Sequence, residues 1–206
     1  MDDSNPEEYK TAKKPYKKRE KRPPRKITEK YLRNSGMYYL ERFTASSGHF
    51  KTVMGRKISK SCYHHTDQDR EECLAMLDKV TDDLLKQGYL DDEGYVRGMI
   101  TSLRRAGKSK KAIMAKLIQK RVPVSDIETA LEKFDAENTD DSNEAEFFAA
   151  ITFIRKKRLG PYDERNKYED EKALSILARN GYSYDTAKRV LNITQDEIYE
   201  LGYRIY

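Results

Sequence analysis

Nowhere does this sequence hold an apolar run approaching the ~20 residues that cross a bilayer. Its first residues are polar and proline-rich, so the apolar segment of a secretory leader is missing too. The expectation is a cytoplasmic protein without membrane contact. Cysteine is nearly absent. Cys62 and Cys73 are too few for a disulfide scaffold, and cytosolic thiols stay reduced. They bracket the stretch CYHHTDQDREEC, which adds His64 and His65, yet that spacing matches no zinc pattern. Cys73 also falls on the stripe Cys73, Leu77, Val80, Leu84, which makes it a small core residue rather than a metal ligand. No metal site is expected. Histidine is equally scarce: His49, His64 and His65 have no recognisable nucleophile as partner, and no glycine-rich phosphate loop occurs. These absences argue against an enzyme and against any cofactor. Alternating strand patterns bounded by turn residues are missing as well.

Charge is what the chain has in excess. Charged residues make up 37% of it, against about 25% in an average globular protein. The hydrophobic share is also 37%, enough for several small packed units but not for one large core. The formal net charge of +6 is unevenly spread. Residues 1–26 hold ten Lys/Arg and five Asp/Glu, whereas the remaining 180 hold 31 and 30. The same 26 residues contain four of the six prolines and no Leu, Ile, Val or Phe. With nothing to bury, they read as a disordered basic proline-rich arm. Its KKPYKKREKRPPRK segment suits phosphate or an acidic surface, or serves only as a solubilising tail.

From Ile27 onward the periodicity is helical. Tyr95, Val96, Met99, Ile100 and Leu103 form one stripe, Ile113, Met114, Leu117 and Ile118 another, and Ile127, Ala130, Leu131 and Phe134 a third. SDIE at 125–128 and TQDE at 194–197 have the form of capping boxes. Two phrases then recur. MITSLRRAGKS at 99–109 matches AITFIRKKRLG at 150–160 with a shift of 51. IMAKLIQKRVPVSDIETAL at 113–131 matches ALSILARNGYSYDTAKRVL at 173–191 with a shift of 60. A fainter copy lies 63 residues upstream, placing Leu40, Ser46, Phe50 and Met54 under Leu103, Ser109, Ile113 and Leu117. The fold expected is all-α: three tandem three-helix repeats, at 27–90, 91–137 and 138–206, the last with a short C-terminal helix. Units this small complete their cores by stacking, which predicts an elongated, curved array suited to another extended object.

The segments GYLDDEGYVRGMITSLRRAGKSKKAIMAKLIQKRV, YYLERFTASSGHFKTVMGRKI and ALSILARNGYSYDTAKRVL together resemble the RecX family of recombination regulators, over roughly 36–192. The first has that family's central pattern: an aromatic, LDD, a second aromatic, a basic-ended helix, a Gly-Lys-Ser turn and a helix running into Lys-Arg. The resemblance implies a tandem three-helix-repeat fold. It also implies binding to RecA filaments, inhibition of strand exchange and ATP hydrolysis, and effects on DNA repair, homologous recombination and the SOS response. The chain departs from the pattern in its long basic arm and in extended connections at 59–68 and 159–171.

The charge blocks supply candidate contacts. Residues 102–121 carry Arg104, Arg105, Lys108, Lys110, Lys111, Lys116, Lys120 and Arg121 without one acid, whereas 125–146 carry nine acids and only Lys133. These eight cations, with Arg155, Lys156, Lys157 and Arg158, are the residues expected to meet a filament or DNA. The competing expectation is that the two blocks pair within the fold. A DNA-reading helix is disfavoured, because the helix after VPV presents Asp126, Glu128, Glu132, Asp135 and Glu137 where phosphates would lie. Tyr31, Tyr89, Tyr95 and Tyr182 fall at packing positions, leaving Tyr16 in the arm as a candidate for stacking on bases. The protein is expected to act as a monomer, with weak single- or double-stranded DNA binding. The alternative is a general nucleic-acid-binding helical-repeat protein that uses the arm and the second repeat.

Overall fold

A computed structural model describes residues 23–139, 142–165 and 167–201. The described residues form α-helices and one 3₁₀ turn, with no strand. Three helices come first: α1 (Glu29–Leu40), α2 (Ser47–His64) and α3 (Arg70–Lys86). Thr28, Ser46 and Asp69 cap their N-termini, each accepting from a first-turn amide. These helices bury Leu32, Phe50, Met54, Ile58, Cys73, Leu77, Val80 and Leu84 in one apolar cluster. Cys73 is thus a core residue, as its stripe predicted, and burial pushes its thiol up to about 11.

A second triplet follows as α4 (Asp92–Arg105), α5 (Lys110–Gln119) and α6 (Val124–Asn138). Val96 and Ile100 from α4 meet Ile113, Leu117, Ile127, Leu131 and Phe134 in a second cluster. A third triplet consists of α7 (Ser142–Lys157), α8 (Asp170–Arg179) and α9 (Tyr184–Leu191), followed by α10 (Gln195–Leu201). Here α7 is buried on almost every side, from Ala145 through Ile154, as expected for a helix with neighbours all round. It packs on α9 within its own triplet and on α4 and α6 of the preceding one.

Left-handed residues end several helices. Gly107 (φ 71°) closes α4 where an added Cβ would lie 2.8 Å from the Phe153 amide nitrogen, so α7 leaves room for glycine only. Arg121 (φ 61°) does the same after α5 without being glycine, a backbone state that costs an L-residue free energy. TQDE forms its capping box: Thr194 N donates to Glu197 Oε2 at 2.8 Å, and Glu197 N donates to Thr194 Oγ1 at 3.2 Å. SDIE does not. The helix starts earlier, with Pro123 at the cap, and Ser125 Oγ donates instead to Asp126 Oδ1. Tyr89 also departs from expectation, being 53% exposed in the turn before α4. Tyr182 is buried as predicted, whereas Tyr16 and residues 1–22 of the arm lie outside the described residues.

Candidate functional site

The triplets are joined by one hydrogen-bond arrangement used twice. Ser46 Oγ, at the N-cap of α2, donates to Lys120 O at the end of α5 (2.6 Å). Ser109 Oγ, at the N-cap of α5, donates to Asn180 O at the end of α8 (2.7 Å). Both serines are buried. Each therefore caps its own helix and satisfies an orphan carbonyl on the next triplet's middle helix. The first helical amide of each middle helix is also filled from the following triplet. Ser47 N donates to Asp92 Oδ1 of α4 at 2.6 Å, and Lys110 N donates to Glu146 of α7 at 2.9 Å. A carboxylate at a helix N-terminus is favoured by the exposed amides and the helix dipole together. The 63-residue shift that aligned Ser46 with Ser109 was the available signal for this wiring, although it did not mark either serine as a joint.

Arg104 requires a correction. Expected at a partner surface, it is the largest fully buried side chain of the described residues. Its Nη2 donates to Asp135 Oδ2 at 2.9 Å and its Nη1 to Glu146 Oε2 at 2.6 Å, tying α4, α6 and α7 together. Burial alone would lower the guanidinium's affinity for its proton, but the two carboxylates more than offset that and hold it above its ordinary value. Burial pushes the Asp135 carboxyl above its usual range, the guanidinium offsetting only part, and its Oδ1 is buried without a hydrogen-bond partner among the described residues. Arg104 is therefore structural. At this point the basic and acidic blocks do pair within the fold, through Arg104, Asp135 and Glu146.

The other cations divide into two places. Lys156 Nζ donates to Arg105 O at 3.0 Å, so the C-terminal ends of α4 and α7 lie side by side. That brings exposed Arg105 next to exposed Arg155, Lys156, Lys157 and Arg158. Cations here also complement two helix C-termini. Lys157 and Arg158 line a polar hollow of about 300 Å³ with Tyr162, Arg165, Lys167 and Tyr168. The second place is the far end of α5, a ten-residue helix about 15 Å long. Lys116, Lys120 and Arg121 stand there, with Lys120 and Arg121 against the start of α2. Lys108 and Lys110 are half-buried between the two places, and Lys111 is exposed beside Gly181. The twelve candidates therefore do not form one continuous patch.

The end of the arm makes ordered contacts. Lys26 pairs with Asp67, Ser61 Oγ donates to Arg25 O at 2.8 Å, and Gln68 brackets Ile27 through its amide nitrogen and oxygen. Among the described residues no cluster of His, Cys, Asp and Glu suited to a metal ion occurs, and no helix is long and apolar enough to cross a membrane.

No protein-family model matches the chain. It is 35% identical over 186 residues to regulatory protein RecX of Myxococcus xanthus, covering 86% of this chain and 94% of that protein. It is 34% identical over 110 residues to regulatory protein RecX of Agrobacterium fabrum, covering 52% and 54% of the two chains. A crystal structure of regulatory protein RecX shares the fold, with a TM-score of 0.55 at 19% identity over 80% of this chain and 72% of that one. With an all-helical fold in common and more than a third of aligned residues identical along almost a whole relative, the chain belongs to the RecX family of regulatory proteins.

Proposed function

We propose that the protein is a negative regulator of homologous recombination, acting in the cytoplasm as a monomer. It binds RecA nucleoprotein filaments, inhibits strand exchange and ATP hydrolysis, and so modulates DNA repair and the SOS response. In this reading the three triplets are repeats of one unit in an elongated, curved array that lies along the filament. The observation that carries it is the repeated joint, Ser46 to Lys120 and Ser109 to Asn180, with Asp92 and Glu146 on the adjoining amides. A joint used twice in the same sense adds each triplet by a similar rotation, which favours a regular ledge over a closed bundle. Such a ledge gains avidity from repeated weak contacts along a polymer, hindering filament extension or the entry of duplex DNA. Arg105 and Lys156, together at the ends of α4 and α7, are the cations best placed to contact it.

That adjacency also favours a second reading, general nucleic-acid binding through the arm and the basic ends of α4 and α7. One experiment separates the two: binding to bare single-stranded DNA is compared with binding to RecA-coated single-stranded DNA at two salt concentrations. The regulator binds the coated DNA at least tenfold more tightly at both. A general binder prefers bare DNA, with an affinity that falls steeply with salt as counterions are released. Reversing charge at Arg105, Lys108, Lys111 and Lys156 together should weaken inhibition of strand exchange while helicity is kept. Unchanged inhibition by the folded quadruple variant removes these cations from the mechanism.

A further inference from the structure

The third triplet holds a helix in a groove that the second triplet leaves open. Between α7 and α9, the groove is lined by Glu144, Phe147, Phe148, Arg189, Ile193 and Glu197. Helix α10 closes one side of it, with Ile198 and Leu201 packed on the apolar cluster that includes Phe147, Phe148 and Ile193. Moving back by 51 residues on the first helix and 60 on the third gives Glu93, Val96, Arg97, Thr129, Lys133 and Glu137. All six line a cavity of about 410 Å³ between α4 and α6. The two hollows therefore occupy corresponding places, reached by the shifts that the sequence repeats supply.

Their contents differ. Where the third triplet has Phe147 and Val190, the second has Val96 and Ala130, and no α10 equivalent lines the opening. The cavity floor is apolar, built from Val96, Val122, Ala130 and Phe134. Its mouth is polar and exposed. Glu93, Asp126 and Glu137 stand there, with Glu128 and Glu132 further out on α6, against Arg97, Arg121 and Lys133. In the third triplet the acidic α10 lies close to the basic Arg189, which helps hold the Glu197 proton off. In the second triplet Thr129 replaces that arginine, and acids outnumber bases around the mouth. The sign of the preferred occupant reverses accordingly.

We infer that the α4–α6 groove is a docking site for a short amphipathic helix of the partner, carrying two bulky apolar residues one turn apart and basic residues beside them. Ile198 and Leu201 show the spacing the groove accepts, three residues apart on one helical face. Bulky side chains inserted into a preformed apolar hollow and ringed by polar groups are the usual centre of binding energy at an interface. The inference rests on the proposed function, since it makes the protein component of the filament the source of that helix.

The test measures binding to RecA-coated single-stranded DNA for the wild type and two variants. Val96→Phe combined with Ala130→Val copies the third triplet's filling, and Thr129→Arg copies its arginine on an exposed position where folding is not at stake. The filled variant should keep its helicity and melting temperature, and both variants should bind at least tenfold more weakly than the wild type. If the wild type binds and a folded filled variant and Thr129→Arg bind equally well, the groove is not the docking site, and the proposed function stands without it. If the filled variant fails to fold, Thr129→Arg decides alone: wild-type affinity overturns the inference. Failure of the wild type itself to bind coated DNA overturns the proposed function and this inference with it.

Discussion

The two joints between triplets share their wiring and differ in everything around it. At the first, one serine hydroxyl meets one carbonyl, one aspartate meets one amide, and Gly48 sits against the Arg121 backbone, where an added Cβ would come within 2.5 Å of its carbonyl oxygen. At the second, the same pair of contacts is reinforced. Arg104 joins Asp135 and Glu146, Tyr182 Oη donates to Gly107 O at 2.9 Å, and Lys156 reaches Arg105 O. Glu146 serves both purposes, filling the α5 amide and holding the guanidinium. One backbone device thus produces a bare joint and a braced one. The first joint, which also borders the open α4–α6 groove, is where the array can bend.

The largest effect should come from taking the brace out. Arg104→Met leaves Asp135 and Glu146 without their counter-charge, and breaking a buried pair in this way costs about 3–5 kcal/mol. Denaturant unfolding measures it. Adding Asp135→Leu to that variant should recover part of the loss, because an apolar pair of similar volume avoids the desolvation that the ions require. A recovery would show that the triad fixes the orientation of α4, α6 and α7 more than it adds net stability. No loss in the single variant would mean that the second joint is as bare as the first.

Next come the paired serines. Ser46→Ala and Ser109→Ala each remove a cap and leave a carbonyl on the neighbouring triplet without its donor, for a loss of about 1 kcal/mol apiece. Their structural consequences should differ. Label-to-label distances across the first joint should broaden in Ser46→Ala, while those across the second stay narrow in Ser109→Ala because the brace persists. Equal broadening would erase the distinction between the joints. Tyr182→Phe sharpens the same comparison, since it removes only the hydroxyl that reaches Gly107 O and should cost about 1 kcal/mol without widening any distance.

How much of this was open to reading from the sequence depends on which periodicity is followed. The helices were legible because apolar residues recur at three and four, and Cys73 and Tyr182 took their core positions for that reason. The same rule, applied without regard to charge, would have found Arg104: it stands four residues after Ile100 and eight after Val96, on the buried stripe of α4. Grouping it with neighbouring cations obscured that face. The capping box at SDIE misled because Ser-x-x-Glu marks a helix start only when nothing upstream starts it first, and Pro123 does. The serine joints lay deeper still. A capping serine has two kinds of hydrogen bond to make, and only the inward one, to its own helix, is encoded locally. The partner of its proton belongs to a residue more than 70 positions away, so no window of sequence displays it.

The smallest predicted effect concerns the end of the chain, where the third triplet's groove is closed by α10. The Glu197 carboxylate accepts from the Thr194 amide and hydroxyl, and these bonds hold its proton affinity below the usual carboxylate value of 4.5. A carboxyl depressed in the folded chain adds stability above its unfolded value, and that contribution disappears as pH falls through the folded one. Between pH 6 and 3, hydrogen exchange at the amides of α10 should therefore accelerate relative to exchange in α8. Glu197→Gln should flatten that difference, because its side chain still accepts from Thr194 but does not titrate. If α10 frays with the same pH profile in both proteins, the box does not hold the helix in place. The packing of Ile198 and Leu201 would then be sufficient by itself, and a partner helix in the corresponding α4–α6 groove would need no such cap either.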